Sequence, residues 1–303
     1  MSRFAELDIG LVVGAHGRHV VIETPEGRRL IAHPRGKKSQ CVVGDRVRWQ
    51  AAGDEAVVEA LEPRRNLLTR QDEWRTKSFA ANIDLLLVVL AGEPVFSESQ
   101  LTRALIAAED AGIASALLLN KIDLPAAAAA RERLAPYRAM GVPVLEAALK
   151  TAPDEARSLL APQLAGRTTL VLGPSGMGKS TLINLMVPRA DAQVGEISQA
   201  LAAGRHTTTT TTRYWLSDAR DGAQLDSPGF QEFGLMHITP QRLAELMPDL
   251  RTHLGNCRFY NCTHRHEPGC GVRAAAERGE IAPSRMRLYS ELWNELEQGQ
   301  RKG

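Results

Sequence analysis

The sequence predicts a multidomain fold with an all-β, OB-type barrel, a central α/β domain built around a phosphate-binding loop (P-loop), and a mainly helical C-terminal part. Short strand patterns at close spacing occupy residues 9–62, and continuous apolar runs alternate with helical patterns from about residue 83. Three cysteines crowd into 14 residues near the C-terminus. At 303 residues the chain is about twice a typical domain. We place the domains at residues 1–65, 66–237 and 238–303.

The composition is that of a protein that buries a core, with 44% apolar and 24% charged residues. These values exclude disordered and fibrous classes. The sequence has no apolar run near the roughly 18 residues that a membrane span requires, and no secretory leader pattern. We therefore expect a cytoplasmic protein without a membrane partner, and we expect a monomer.

The N-terminal strands are predicted in GLVVGAHGRHVVIET, RRLIAHP, DRVRWQAA and EAVVEALEP, which Gly, Pro and charged turns separate. Between Arg28 and Arg48, seven Lys or Arg residues accompany one acid, Asp45. OB-type barrels bind RNA on such faces, so the pattern predicts an RNA-binding barrel. The alternative is a solvated face without a ligand.

The central domain begins with the runs IDLLLVVLA and IASALLLN, which are typical of strands buried on both faces. They alternate with the helical stretches SQLTRALIAAEDAG and AAAAARERLAPYRAMG, and VPVLEAAL and TTLVLG continue the alternation. This order predicts βαβ units with a parallel sheet. RYWLSDA and AQLD predict a hairpin turned at Asp221 and Gly222.

Helical patterns return after about residue 238. Residues 273–278 predict a helix that Gly279 ends, and residues 285–296 predict a second helix with Ser284 as its N-cap.

The phosphate loop is GPSGMGKS at residues 173–180, which matches G-x-x-x-x-G-K-[ST] between a strand and the helix STLINLMV. Its backbone N–H groups face phosphates, Lys179 reaches the β and γ oxygens, and the Ser180 hydroxyl ligates Mg²⁺ at the helix start. The loop alone does not distinguish ATP from GTP. The predicted nucleotide-binding residues here are Gly173, Pro174, Ser175, Gly176, Met177, Gly178, Lys179, Ser180 and Thr181.

Guanine recognition is predicted by NKID at residues 120–123, which follows a buried strand. The Asp123 carboxylate can accept hydrogen bonds from the ring N1–H and the N2 amino group, a pair of donors that adenine lacks. Asn120 would bond the N7 side of the base, and the stem of Lys121 would cover one ring face. At the end of the next strand, Ala147 and Ala148 occupy the place where a backbone N–H bonds O6. A chance tetrapeptide at a strand end is the alternative.

Two further elements predict the magnesium and γ-phosphate contacts. Asp226 and Gly229 form D-x-x-G in LDSPGF, with Asp226 in the Mg²⁺ shell and the Gly229 N–H on the γ-phosphate. A Thr from the run in GRHTTTTTTRYW closes over Mg²⁺. Thr208 is favoured and Thr207 and Thr209 remain open, whereas the rest of the run suits a strand.

The predicted catalytic residues are Lys179, Thr208 and His206. Phe230 follows Gly229 at the position where many GTPases carry a water-orienting Gln, so intrinsic hydrolysis should be slow. His206 lies beside the Thr run and is the nearest candidate to orient water. The alternative is a solvated loop histidine.

A metal centre is predicted by Cys257, Cys262, His264 and Cys270, which have the spacing C-x₄-C-x-H-x₅-C. In a reducing compartment, such crowding favours metal over disulfides. Three thiolates and one imidazole complete a tetrahedral set, which predicts one structural Zn²⁺. His266 is the alternative to His264.

The motif order NKID, GPSGMGKS, GRHTTT and DSPG is rotated relative to an ordinary GTPase. With a barrel before it and a Cys/His cluster after it, the sequence resembles the ribosome small subunit-dependent GTPase A family (RsgA, also YjeQ) over nearly its whole length. The resemblance implies an OB-fold, a circularly permuted P-loop GTPase domain and a zinc domain. It also implies His206 as the catalytic histidine and a late role in small-subunit maturation, with hydrolysis that the subunit stimulates.

The expected partners are therefore the small ribosomal subunit, its rRNA, and GTP and GDP. Three rival hypotheses remain at this point: a permuted GTPase for the large subunit, a P-loop ATP enzyme with an accidental NKID, and a binding module without turnover.

Overall fold

The protein is described by a computed structural model over residues 7–16, 19–36, 41–71, 76–187, 211–227 and 233–302. The strands are β1 Asp8–His16, β2 His19–Glu23, β3 Arg29–Pro34, β4 Arg46–Ala52, β5 Glu55–Leu61, β6 Leu67–Gln71, β7 Thr76–Ala81, β8 Leu85–Ala91, β9 Ala114–Asn120, β10 Val144–Ala147, β11 Thr168–Leu172, β12 Thr212–Trp215 and β13 Ala223–Asp226. The helices are α1 Glu98–Asp110, α2 Ala127–Ala139, α3 Pro153–Leu164, α4 Lys179–Met186, α5 Pro240–Leu243, α6 Pro248–Arg251, α7 Gly271–Glu277 and α8 Pro283–Lys302, with a 3₁₀ turn at Leu254–Asn256.

The first five strands close into the predicted barrel. Their order is β1-β2-β3-β5-β4, and β4 pairs back to β1. β3 and β5 are parallel, and the other pairs are antiparallel. Val12, Ile22, Val47 and Trp49 are buried in the core, so the alternation seen in the sequence does separate inside from outside.

The basic face of the barrel is more neutral than the sequence indicates. Arg28 and Arg46 are exposed and form no ion pair among the described residues, and Lys37 and Lys38 lie outside them. The other arginines meet glutamates that lie outside the basic stretch, which strand pairing brings close and a local charge count misses. These ion pairs are Arg29 with Glu23, Arg35 with Glu59, and Arg48 with Glu62.

The central sheet has the order β10-β9-β8-β11-β13-β12 and is parallel except for β12. All seven residues of β8 are buried, as the apolar run predicted. The β12–β13 hairpin is also confirmed, and Leu216 N donates to Gly222 O across its turn. The carboxyl ends of β8, β9 and β11 meet at one edge, where ligands bind in such sheets.

The barrel and the central sheet form one continuous sheet, because β1 pairs with β12 through Gly14 and Thr212. Side chains reinforce this junction: Trp215 Nε1 donates to Glu23 Oε1 at 2.8 Å. The barrel therefore contacts the strand that directly follows the Thr-rich loop.

A hairpin at the start of the central domain, between the barrel and β8, was not predicted. Its strands β6 and β7 carry mostly polar residues, so their periodicity is weak. Ala80 bridges to Val43 of the barrel side, and Gln71 bridges to Leu235. The hairpin thus touches the barrel at one strand and the chain after D-x-x-G at the other.

The C-terminal part is helical, as predicted, with one difference in a helix start. α8 begins at Pro283, so Ser284 lies in its first turn and is not the N-cap. Pro suits this first position, because its fixed φ is helical and the N–H that it lacks has no intrahelical partner there. None of the helices in the described ranges is long and apolar enough to cross a membrane.

A buried arginine anchors α8 to the central domain. Arg285 Nε donates to Asp249 at 2.7 Å, and Nη1 donates to the Thr102 hydroxyl at 2.8 Å. Its guanidinium also lies 5.2 Å from the centroid of the Tyr137 ring. A buried charge held by this many partners fixes the position of the helix.

Candidate nucleotide site and metal centre

The P-loop requires glycine at two positions. Gly173 has φ +150°, and a Cβ there would lie 2.3 Å from Val89 O. Gly178 has φ +105°, and a Cβ there would lie 2.2 Å from Asn120 Nδ2. Any side chain would push the loop away from β8 and from the NKID motif, so the glycines place the P-loop against the base-recognition loop.

Lys179, the first residue of α4, is positioned by the loop that precedes it. Its Nζ donates to Gly173 O at 2.6 Å and to Pro174 O at 2.9 Å. Burial lowers the pKa of Lys179 and raises that of Asp226, and each charge opposes the shift of the other. The Lys179 ammonium and the Asp226 carboxylate, at the end of β13, therefore stabilise each other's charged form.

Asn120 connects the P-loop to the loop after β10. It is buried, its Nδ2 donates to Met177 O at 2.8 Å, and its Oδ1 accepts from Leu149 N at 3.1 Å. The amide nitrogen carries a second hydrogen, which is the one available to a base. These two hydrogen bonds tie the P-loop to the loop after β10.

A cavity of about 530 Å³ lies between these loops, within the size range of ligand sites. It brings NKID and the P-loop together, although Asp123, the last residue of NKID, precedes Gly173 by 50 positions in the sequence. Its lining residues are Asn120, Lys121, Asp123, Leu124, Leu149, Lys150, Thr151, Ser175, Gly176, Gly178, Lys179, Ser180 and Thr181.

Ala147 and Ala148, which were predicted to provide the O6 contact, do not line the cavity. Both alanines are buried, and β10 ends at Ala147. Leu149, Lys150 and Thr151 line the cavity instead. The Leu149 N–H is used by Asn120, whereas that of Lys150 makes no hydrogen bond among the described residues. The sequence alone did not indicate that residues 149–151 line the cavity.

Lys121 and Asp123 face the cavity in different ways. Lys121 has φ +59°, and its Nζ donates to Glu93 O at 2.9 Å, which holds the side chain across the loop after β8. Asp123 is exposed at the cavity wall. Its carboxylate is accessible to a ligand.

The D-x-x-G strand is placed by its neighbour. Thr212 pairs with Asp226, and the Thr211 hydroxyl donates to Ser227 Oγ at 3.0 Å. Thr212 thus belongs to a strand, as the sequence indicated for the end of the Thr run. His206, Thr207, Thr208, Thr209 and Gly229 lie outside the described residues, as do Phe230 and Gln231.

The four predicted metal ligands form one cluster. One ligand atom from each of Cys257, Cys262, His264 and Cys270 lies within 4.8 Å of the others. His264 Nδ1 lies 3.4 Å from Cys257 Sγ and 3.5 Å from Cys270 Sγ. Among the described residues, His266 is exposed and outside this cluster.

The chemistry of the cluster fits zinc. Burial lowers the pKa of His264, which favours the neutral imidazole that a metal binds. Burial, together with the neighbouring thiols, raises the pKa of Cys262 to about 12, and a bound cation would favour the thiolate form that a metal site uses. Three sulfurs and one nitrogen leave no open position, which is the donor set of a structural zinc site.

Glu267 supports this cluster and was not predicted. Its carboxylate accepts from Thr263 N at 2.9 Å and from Arg265 N at 3.2 Å, and Cys262 Sγ lies 3.7 Å away. The backbone on both sides of His264, which has φ +60°, is thereby fixed. Such outer hydrogen bonds orient metal ligands.

The sheet order and the shared cavity define a class of protein. The P-loop follows the central strand β11, and D-x-x-G begins at the end of its neighbour β13. The strands β8, β9 and β10, which lie on the NKID side of the sheet, precede both of them in the chain. This is the spatial arrangement of a P-loop GTPase reached through a rotated chain order, so the protein is a circularly permuted GTPase that hydrolyses GTP.

The chain belongs to the RsgA GTPase family, whose sequence profile matches residues 61–236. It is 59% identical over 294 residues to the small ribosomal subunit biogenesis GTPase RsgA of Variovorax paradoxus, covering 95% of this chain and 92% of the relative. It is 54% identical over 300 residues to the protein of the same name from Burkholderia pseudomallei, covering 98% and 95%.

Two solved structures have the same fold. YjeQ from Thermotoga maritima superimposes with a TM-score of 0.73 at 29% identity, covering 95% of this chain and 98% of that one. YloQ, described as a circularly permuted GTPase, gives a TM-score of 0.71 at 24% identity with 98% of both chains covered.

Proposed function

We propose that the protein binds the small ribosomal subunit in its GTP state, acts as a checkpoint late in maturation, and leaves after hydrolysis. The observation that carries the proposal is the cavity in which Asp123 faces the P-loop, set between a barrel and a metal cluster. Relatives that match at least 95% of the chain are named as biogenesis GTPases of this subunit, which supports the proposed partner.

Guanine recognition rests on residues that line the cavity. Asp123 would accept from N1–H and the N2 amino group, and the Lys121 stem would cover one ring face. Asn120 would offer its second amide hydrogen to the N7 side. We assign the O6 contact to the backbone N–H of Lys150, in place of Ala147 and Ala148.

Phosphate binding rests on the P-loop N–H groups and on Lys179. Mg²⁺, held by Ser180, Asp226 and Thr208, would neutralise charge on the β- and γ-phosphates. The Gly229 N–H would contact the γ-phosphate. Since Phe230 replaces the usual Gln, we assign water orientation to His206.

The flanking domains would carry the contacts to rRNA. We propose residues 1–65 as an RNA-binding barrel, residues 66–237 as the GTPase domain and residues 238–303 as a zinc domain, in a monomeric cytoplasmic protein. The barrel pairs with β12 through Gly14, and Arg285 of α8 donates to Thr102 of α1 in the GTPase domain. Both flanking domains are therefore in contact with the GTPase domain.

The proposal is tested by sedimentation with purified small subunits. Wild-type protein should cosediment with a nonhydrolysable GTP analogue and dissociate with GTP as GDP accumulates. His206→Ala should bind GTP normally and stay on the subunit with GTP, because this variant binds GTP but does not hydrolyse it. Equal cosedimentation with the GTP analogue and with GDP would contradict the release step. Binding to large subunits instead of small subunits would show that the large subunit is the partner.

Two rival functions make different predictions in the same assays. A P-loop ATP enzyme would let ATP compete with labelled GTP as well as GTP does. A pure binding module would show no phosphate release with or without subunits. The Asp123 carboxylate at the cavity wall argues against the first, because adenine offers no donor pair for it.

A further inference from the structure

Two neighbouring aromatic side chains are exposed on the metal cluster. Tyr260 is 103% exposed and Phe259 is 41% exposed. Every other Phe, Tyr or Trp side chain that the structure describes is buried or half-buried. Single exposed apolar residues are normal on a protein surface, whereas adjacent exposed apolar side chains indicate an interaction site.

Both residues lie in the knuckle loop, residues 258–261, between the ligands Cys257 and Cys262. Arg258 N donates to Gly269 O at 2.9 Å, and Cys262 N donates to Phe259 O at 3.3 Å. Ligands at both ends and these backbone bonds fix the loop. A rigid loop loses little conformational entropy when it binds, so the rings are presented at low cost.

The charge beside the rings is positive. The Arg258 guanidinium lies 5.5 Å from the centroid of the Phe259 ring, and Arg258 forms no ion pair within the described ranges. The Glu267 carboxylate, beside the cluster, accepts from Thr263 N. The tip of the loop therefore presents two aromatic rings and one arginine that forms no ion pair with the described carboxylates.

The combination of exposed rings and an arginine favours a nucleic-acid partner over a protein partner with an apolar groove. Unpaired bases stack on aromatic side chains, and a neighbouring arginine binds the phosphate. A protein partner with an apolar groove would not need the unpaired cation.

We propose that the knuckle loop binds an unpaired base of RNA, with Tyr260 stacked on the base and Arg258 on the adjacent phosphate. The inference rests on the proposed function in one respect: the RNA is that of the small ribosomal subunit. The fully exposed ring belongs to a residue that coordinates no metal and packs on nothing. Its removal should leave the fold intact.

The test compares Tyr260→Ala, Tyr260→Phe and the control Leu159→Ala, which truncates an apolar side chain 37% exposed on α3. Affinity for purified small subunits is measured with a nonhydrolysable GTP analogue, and base protection is mapped by chemical probing of the rRNA. Tyr260→Ala should bind about tenfold more weakly and lose protection of an unpaired base. Tyr260→Phe and Leu159→Ala should match wild type, and all variants should retain one zinc.

Each other outcome has a defined meaning. Wild-type affinity for Tyr260→Ala overturns the stacking site. Weaker binding with unchanged base protection also overturns it, because the loop then contacts a ribosomal protein. If wild type itself fails to bind small subunits, the proposed function fails first, and the inference fails with it.

Discussion

At the residue scale, Asn120 shows how the site is assembled. Its side chain joins Met177 of the P-loop to Leu149 after β10, so one residue fixes the phosphate and base loops relative to each other. The sequence predicted the guanine-recognition loop from NKID, because this motif is local and ends a buried strand. The sequence could not place the third loop, because residues 149–151 enter the cavity only through the turn that follows β10.

The Asp123 carboxylate should decide which base is bound. Asp123→Asn should weaken GTP binding by about 100-fold, because two charge-assisted hydrogen bonds are lost. The amide can donate where the carboxylate only accepts, so xanthosine triphosphate should become the better ligand. Competition binding measures both effects, and Asp221→Asn, which removes a carboxylate from the distant β12–β13 turn, should leave base preference unchanged. Unaltered preference in Asp123→Asn would contradict the assignment.

At the element scale, the β6–β7 hairpin links the barrel to the chain after D-x-x-G. Gln71 N donates to Gly234 O at 2.9 Å, and Met236 N donates to Gln71 O at 3.0 Å. Phe79 and Phe233 stack with centroids 5.2 Å apart. On the opposite side, Arg103 pairs with Glu295 of α8 and donates to Phe233 O at 3.5 Å. We call residues 233–236 the post-switch segment.

The post-switch segment should couple the flanking domains to hydrolysis. Phe79→Leu keeps an apolar side chain but loses the aromatic pair, worth about 1 kcal/mol. We expect a small decrease in Tm, unchanged intrinsic GTP hydrolysis, and at least about a threefold loss of subunit-stimulated hydrolysis. Turnover is measured with and without small subunits.

Phe96→Leu is the matched control for this variant. Phe96 is buried like Phe79, and each ring lies beneath an arginine. The Arg133 guanidinium is 4.3 Å from the Phe96 ring centroid, and the Arg70 guanidinium is 5.3 Å from that of Phe79. Among the described aromatic pairs, it is Phe79 and not Phe96 that stacks on the post-switch segment, through Phe233. Equal loss of stimulation in both variants would show that the effect comes from general destabilisation.

The metal centre gives a second prediction at this scale. His264→Ala should lose zinc, lower Tm and abolish small-subunit binding, while GTP affinity stays within about threefold because the cavity is formed by other elements. His266→Ala should retain one zinc per chain, since His266 is outside the cluster. Metal analysis of the two purified variants decides between them. Zinc retained in His264→Ala and lost in His266→Ala would reverse the ligand assignment.

At the scale of the whole molecule, the rotated chain order has a structural consequence. D-x-x-G leads through the post-switch segment into the helical C-terminal domain, and β1 of the barrel pairs with the strand after the Thr-rich loop. Both flanking domains thus contact elements next to the predicted γ-phosphate contacts. The sequence predicted this order of domains because each has a local pattern. It did not predict the hairpin or the glutamates that neutralise the barrel face, because both depend on pairing between distant strands.

The most direct test of the account is GTP turnover by the full chain, measured as phosphate release. The measurement is made on the protein alone, with purified small subunits, and with large subunits. The account predicts slow turnover alone and with large subunits, and stimulation of at least about tenfold by small subunits. Turnover that small subunits leave unchanged, or that large subunits stimulate equally, would contradict it.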